Sequence, residues 1–391
     1  MTDWVCLLLK AVYYYGHLIG LGNFEIDWRT GRVYTSPSST IYALATNVSI
    51  FIVLLWQILE QTDPNVFFGN ANKLLVAVIL VLVGLRVASG LLTVHNRWHQ
   101  RAKFIRLARK VLRLFLEKPQ VKRMCRWRIL IKFIIAIVTD LLQVAITWDS
   151  VGRVDCNQFI GMTLQFWMST IINLAISQHY LVALFVRANY HLLNTELRRV
   201  VNESRILSYL PQRKGAFMTR CCSLADQLDN IAKLQSQLQS IVTELNAVAG
   251  AQGLMVYGGY YLSSIATYYL TYSILKNGLE NLQLTVQAVI LAFSWCFFYY
   301  LDAMINLFTM FNLLDDHKEM IRILQERTLF ASGLDVRLEE SFESFQFQVI
   351  RNPFQIEVME IFSITRSSIS AMYGSLVTHT IFLIQYDLEY F

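Results

Sequence analysis

The sequence predicts an all-α, polytopic membrane protein with seven transmembrane helices, an intracellular N-terminus, an extracellular C-terminus and a helical cytoplasmic anchor domain. Three observations carry that prediction. Of the 391 residues, 55% are hydrophobic and only 16% charged, where soluble domains carry about 25% charged residues. The apolar residues fall in runs of about twenty, the length that crosses a bilayer core as a helix. The basic residues gather in alternate connections between those runs, as they do on the cytoplasmic side of membrane proteins.

Met1 to Gly22 is apolar and aromatic, with Lys10 and His17 interrupting it. It lacks the basic start and small-residue cleavage site of a signal peptide, so it reads as an uncleaved amphipathic segment at or in the membrane surface. Asp27 to Pro37 is polar and turn-like. Spans follow at Thr40 to Leu59, Asn72 to Val94, Ile129 to Trp148, Phe159 to Val186, Ala249 to Ile274, Gln283 to Phe308 and Ser367 to Tyr386. All five prolines (Pro37, Pro64, Pro119, Pro211, Pro353) lie outside them.

Loop charge sets the orientation. Between Asn96 and Arg128 stand twelve Lys and Arg against one acid, Glu117; Arg187 to Val248 holds eight and Thr309 to Arg366 six, while the opposite loops hold Arg153 and Lys276. The net charge of +6 is therefore a matter of membrane orientation, and nucleic acid is not an expected partner. The sequons at Asn47, within a span, and Asn202, in an inner loop, sit where glycosylation cannot reach.

The inner segments carry helical seams. Leu228, Ile231, Leu234, Leu238, Ile241, Leu245 and Val248 recur at steps of three and four, and Leu338, Phe342, Phe345 and Val349 share a face. These seams predict a cytoplasmic helical domain that packs within one subunit or also joins subunits; the spacing fits both. The chain divides accordingly into an N-terminal cytoplasmic or interfacial segment (1–39), six spans with long inner loops forming a ligand-binding bundle (40–308), anchor helices (309–366), and a pore-lining last helix with a short outer tail (367–391).

That last helix presents Ser368, Ala371, Ser375, Thr378, Phe382 and Gln385 on one face and Ile369, Val377, Ile381 and Ile384 on the other. A small, polar stripe suits a pore wall, and it equally suits close packing of a neighbouring helix. Thr378-His379-Thr380-Ile381-Phe382-Leu383-Ile384-Gln385-Tyr386 resembles the C-terminal signature of insect gustatory receptors, Thr-Tyr, five apolar residues, Gln-Phe. Seven of the nine positions fit when Thr380 stands in for an apolar residue. His379 replaces the signature's Tyr, and Tyr386 its Phe. Phe362-Ser363-Ile364-Thr365-Arg366 is similar to the segment before that signature, and chain length and span count agree throughout.

The resemblance implies a seven-span, tetrameric, ligand-gated cation channel whose last helices line one central pore, and it favours inter-subunit contact near the axis by the anchor domain. It points to a multi-pass protein of the sensory-neuron plasma membrane, gated by a small-molecule tastant, assembled as a homotetramer or a heterotetramer with related receptors. The chain is shorter than the sugar-sensing members, which favours a bitter or other non-sugar tastant. From inside to outside, Ser375 and Thr378 are expected to line a wet cavity and Phe382 to form a constriction that closes by dewetting. Gln385, beside Tyr386, would meet the cation, and Asp387 and Glu389 would draw cations to the mouth.

Two other classes compete. A G-protein-coupled receptor needs an outer N-terminus and the Asp/Glu-Arg-Tyr and Asn-Pro-x-x-Tyr motifs, which are absent here. A secondary transporter would break its helices at mid-membrane with Gly or Pro and show matching halves; it remains the runner-up. The seven histidines and six cysteines show no metal-ligand spacing and no nucleophile elbow or phosphate loop occurs, so neither an enzyme nor a cofactor is expected.

Ionisable groups within spans are informative because they are costly there. Arg86 and Asp140 fall at neighbouring depths and are close enough to pair, as a structural ion pair or as part of ligand coupling. Gln178, His179 and Asp302 fall near inner span ends, where solvation or capping accounts for them. For the ligand, the outer halves offer Trp148, Gln165, Trp167, Tyr261, Ser264, Tyr268, Tyr272, Gln283 and Gln287, aromatic walls with a few hydrogen-bonding groups. With Asp140 these are the candidate ligand set, although Trp and Tyr near span ends also anchor in the interface.

Overall fold

The computed structural model describes residues 4–28, 30–59, 73–149, 156–209, 214–281, 285–329, 334–358 and 362–390. Its helices are α1 (Trp4–Leu18), α2 (Pro37–Leu59), α3 (Lys73–His99), α4 (Arg101–Glu117), α5 (Pro119–Asp149), α6 (Cys156–Tyr209), α7 (Lys214–Asn281), α8 (Val286–Gln325), α9 (Val336–Arg351) and α10 (Arg366–Tyr390). Two short antiparallel hairpins interrupt the helices, β1 (Glu25–Asp27) with β2 (Arg32–Tyr34) and β3 (Glu357–Val358) with β4 (Phe362–Ser363).

Helix ends follow local chemistry. Pro37 and Pro119 open α2 and α5, where a missing N–H costs nothing. Thr285 accepts from the Ala288 N–H at 3.2 Å and Asp335 from the Arg337 N–H at 3.1 Å, each satisfying an orphan donor. Ahead of α10, Thr365 Oγ1 accepts from the Ser368 N–H at 3.1 Å while Ser368 Oγ accepts from the Thr365 N–H at 2.9 Å. That is a capping box with Ser in the place of Glu.

Helices α6, α7 and α8 span 54, 68 and 40 residues, α7 being broken near its end at Gly278, where φ is 76° and ψ 165°, so at 1.5 Å per residue they are about 60 to 100 Å long. Each outruns a bilayer core of about 30 Å. Their extensions form the main buried core with α9: Leu193, Leu197, Leu228, Ile241, Met320 and Phe342 are all 2% exposed or less. The seam predicted from Leu228 to Val248 is buried except at Leu234, and all four residues of the α9 face are buried, so both pack within one chain. His317 sits in this core, stacked on Phe354 at 4.9 Å and edge-on to Tyr190 at 5.9 Å. Burial pushes its pKa down to about 4, which keeps it neutral at pH 7.

Among the described residues, six helices are long and apolar enough to cross a membrane: α2, α3, α5, α6, α8 and α10. The remaining predicted span, Ala249 to Ile274, lies in α7 and is rich in Tyr, Ser and Gly. It packs on α3, α6 and α10 and so meets protein on several sides, where lipid-grade hydropathy is not required. Close approach of α3 to α6 depends on Gly90, where a Cβ would stand 2.5 Å from Met168 Sδ.

Three expectations from the sequence are corrected. Arg86 and Asp140 do not pair: Arg86 stacks over Trp295, 5.2 Å from the ring centroid, while Asp140 accepts from Tyr15 Oη at 3.3 Å and Asn173 Nδ2 at 3.2 Å. Asp302 is not solvated but is 8% exposed and paired with Lys132, itself fully buried. Gln178 is held by Arg97. Facing charges and amides found partners on other helices, because a charge in a low-dielectric interior needs one. The tie from Tyr15 to Asp140 also seats α1 against α5 and α6, so it is docked and not merely adsorbed on a surface.

Removing one partner of a buried ion pair leaves an uncompensated charge, at about 3–5 kcal/mol. Lys132→Met is therefore expected to lower the melting temperature of the detergent-purified protein, and Lys132→Met with Asp302→Leu to recover most of the loss. A double variant no more stable than the single would argue against the pair as the cause.

Candidate functional site

The last helix is attached along one flank. Its buried residues, Ile369, Leu376, Thr380 and Asp387, recur at helical spacing, and Leu383 and Ile384 pack beside them on Leu75 of α3 and Tyr269 of α7. The principal partner of α10 is α7. Three polar contacts fasten it at successive heights: Arg366 to Asp315 at 2.6 Å, Tyr261 Oη to Ser375 Oγ at 2.8 Å and His379 Nδ1 at 2.9 Å, and Asp387 to Lys276 Nζ at 2.9 Å and Tyr269 Oη at 3.0 Å. His379, which departs from the signature resembled, thus has a definite partner in Tyr261.

The stripe lies diametrically across the helix from the buried residues. At 100° per residue, Thr378, Phe382 and Gln385 point away from Ile369, Leu376 and Asp387. Thr378 and Gln385 are exposed, Phe382 is 65% exposed and Tyr386 41%; Ser375 is half-buried because Tyr261 reaches it. Of the opposite face, which can meet lipid or protein, Ile369 is buried while Val377 and Ile381 are 57% and 50% exposed. One detail of the sequence reading changes. Asp387 does not stand free at a pore mouth: its side chain is 3% exposed and bound by Lys276, which leaves Glu389 as the exposed acid there.

The outer-half candidates do not converge on one site. Trp148 is 76% exposed at the end of α5, Gln287 is exposed on the first turn of α8, and Gln283 lies outside the described residues. Tyr261 is turned to α10, and Asp140 ties α1, α5 and α6 together. Gln165 and Trp167 are half-buried, and Gln165 Oε1 and Trp167 Nε1 are inaccessible and unbonded among the described residues; such atoms are costly to leave unpaired.

Ser264 and Tyr268 do meet in a cavity of about 700 Å³, within the range of about 300–1,000 Å³ that holds small organic ligands. It runs from Tyr268 and Phe293 to Arg97 and Met310, between α7, α8 and α10 and the helices α3, α4 and α6. A second, of about 70 Å³, is bounded by Arg86, Asn173, Trp295 and Tyr299. Arg97 was legible only as one of many basic residues fixing orientation, and Lys132 only as an isolated cation in an apolar run; neither signal names a partner helix.

With this architecture in view, the comparisons with known proteins are direct. The chain belongs to the 7tm chemosensory receptor family, whose model matches residues 9–390. It is 60% identical over 391 residues to candidate gustatory receptor 36a of Drosophila melanogaster, 52% over 390 residues to 36c and 37% over 395 residues to 59d, each alignment covering all of both chains. Its fold is that of the olfactory receptor OR5 from Machilis hrabei, with a TM-score of 0.68 and 11% identity over 98% of this chain and 100% of that one. The same receptor in complex with eugenol matches with a TM-score of 0.61 and 11% identity, over 96% and 97%. The protein is accordingly a multi-pass chemosensory receptor and not an enzyme.

The contact of Asp387 with Lys276 tests how α10 is held. Lys276→Glu places a carboxylate against a buried one, and loss of a charged hydrogen bond costs about 1.5–3 kcal/mol, so surface expression is expected to fall several-fold. Lys276→Asp with Asp387→Lys restores opposite charges and is expected to regain expression, measured by surface biotinylation.

Proposed function

We propose that the chain is a subunit of a tastant-gated, non-selective cation channel in the plasma membrane of a sensory neuron, with α10 from each of four copies around a central pore. The observation that carries this reading is the one-sided attachment of α10. A helix that only packed would bury its small, polar face, whereas this one buries the opposite face and leaves Thr378, Phe382 and Gln385 uncovered. Phe382 repeated around an axis makes an apolar constriction that closes by dewetting, and a ring of uncharged Gln385 amides suits a poorly selective cation path. The exposed Phe347 and Ile350 on the outer face of α9, one turn apart, are an apolar patch that a neighbouring copy, like or unlike, would cover.

In the relatives' names the ligand class is gustatory, and a similar fold binds eugenol, which supports a small organic ligand here; a bitter or other non-sugar tastant is the expected class. The cavity walled by Ser264 and Tyr268 is where it would bind, and Gln165 and Trp167, whose polar atoms are unbonded among the described residues, remain candidate contacts outside it. The four-part division at residues 39, 308 and 366 then separates the N-terminal segment, ligand bundle, anchor and pore helix.

Phe382→Ala is expected to raise ligand-independent current, and Gln385→Glu to shift the reversal potential under bi-ionic conditions, both with near-normal surface expression. If α10 merely packs, both variants lower expression and leave reversal potentials unchanged. An epitope before Met1 is expected to stain only permeabilised cells and one after Phe391 to stain intact cells; surface staining of the N-terminal tag would reverse the orientation.

A further inference from the structure

Arg97, in the last turn of α3, is 5% exposed and borders the 700 Å³ cavity. Its guanidinium donates to Gln178 Oε1 and lies 3.8 Å from the centroid of the Phe104 ring, and no carboxylate among the described residues pairs with it. The two other buried cations among the described residues have carboxylate partners, Lys132 in Asp302 and Arg327 in Glu343. A buried charge without a counter-ion is costly, and a guanidinium presents a fork that matches a carboxylate in two parallel bonds. The cavity it faces is mainly apolar, with Glu357, Gln252 and Asn306 among its polar lining. One wall is the inner face of α4, through Phe104, Leu107, Val111 and Phe115, while Lys103, Arg106 and Lys110 stand elsewhere on the same helix. An amphipathic helix of this kind sits at the boundary between headgroups and acyl chains.

We infer that this cavity is a binding site for a long-chain fatty acid, whose carboxylate pairs with Arg97 beside Gln178 and whose chain lies along α4, α7 and α8. The acid supplies the missing counter-charge, and its chain covers apolar surface that water would otherwise meet. This end of the cavity, bounded by Arg97 and Met310, is distinct from the end walled by Ser264 and Tyr268 that is proposed for the tastant. The site stands whether or not the protein conducts ions.

The test is photolabelling of the purified full-length chain with a diazirine-bearing palmitic acid, read by mass spectrometry of its peptides. Label is expected on α4, α7 and α8, displaced by palmitic acid and not by methyl palmitate. Arg97→Gln is expected to reduce it by about tenfold or more, as loss of a charged hydrogen bond does, and Arg97→Lys to retain part. Ala303→Trp, which narrows the cavity and leaves Arg97 in place, is expected to reduce label too and provides an independent reading should Arg97→Gln not fold. Undiminished label in either folded variant, or equal displacement by methyl palmitate, overturns the inference. Displacement by phosphatidylserine as potent as that by palmitic acid also overturns it, by assigning the cavity to bilayer phospholipid.

Discussion

The organisation of this receptor depends on one constraint: in lipid, burying apolar side chains against each other gains little, because the solvent is as apolar as they are. Hydrophobic stabilisation operates where water is the alternative. The three longest helices, α6, α7 and α8, continue past the length of a bilayer, and it is in their extensions, with α9, that the largest core forms. The water-side bundle fixes the helix axes. The spans inherit their arrangement from it and add close contacts, such as Gly90 on Met168, and polar ties.

Helix α7 links the parts. Its first half belongs to the bundle, its second half lines the large cavity, and the same stretch carries Tyr261, Tyr269 and Lys276, which hold α10. One helix thus meets both the large cavity and the last helix, and its polar contacts with α10 are discrete: Tyr261 with Ser375 and His379, and Tyr269 and Lys276 with Asp387.

The buried polar groups divide by what satisfies them. Lys132 and Asp302 neutralise each other between α5 and α8; Asp140 is shared by α1, α5 and α6 through neutral donors; Arg86 rests on an aromatic face. Each joins helices where apolar packing alone would be permissive, so each specifies which neighbours meet. Arg97, like Arg86 and Asp140, has neutral neighbours, and it differs from them in bordering the large cavity.

Period and composition determined much of this in advance. The apolar runs, the seams at Leu228 to Val248 and Leu338 to Val349, and the stripe on the last helix are local properties of the chain, legible because helical geometry maps sequence spacing onto faces. The C-terminal signature added the family. Pairings between helices were not legible: Arg86 and Asp140 have suitable depths and opposite charges, yet depth says nothing of azimuth, and the rotation of each helix is set by packing along its whole length. The same limit hid the cavity, which needs several helices to diverge at one level, and misassigned Asp387, whose charge is local but whose partner, Lys276, is supplied by α7. Sequence determined which faces exist and where the chain turns; tertiary structure decided which faces meet, because contact depends on the mutual orientation of elements far apart in the chain.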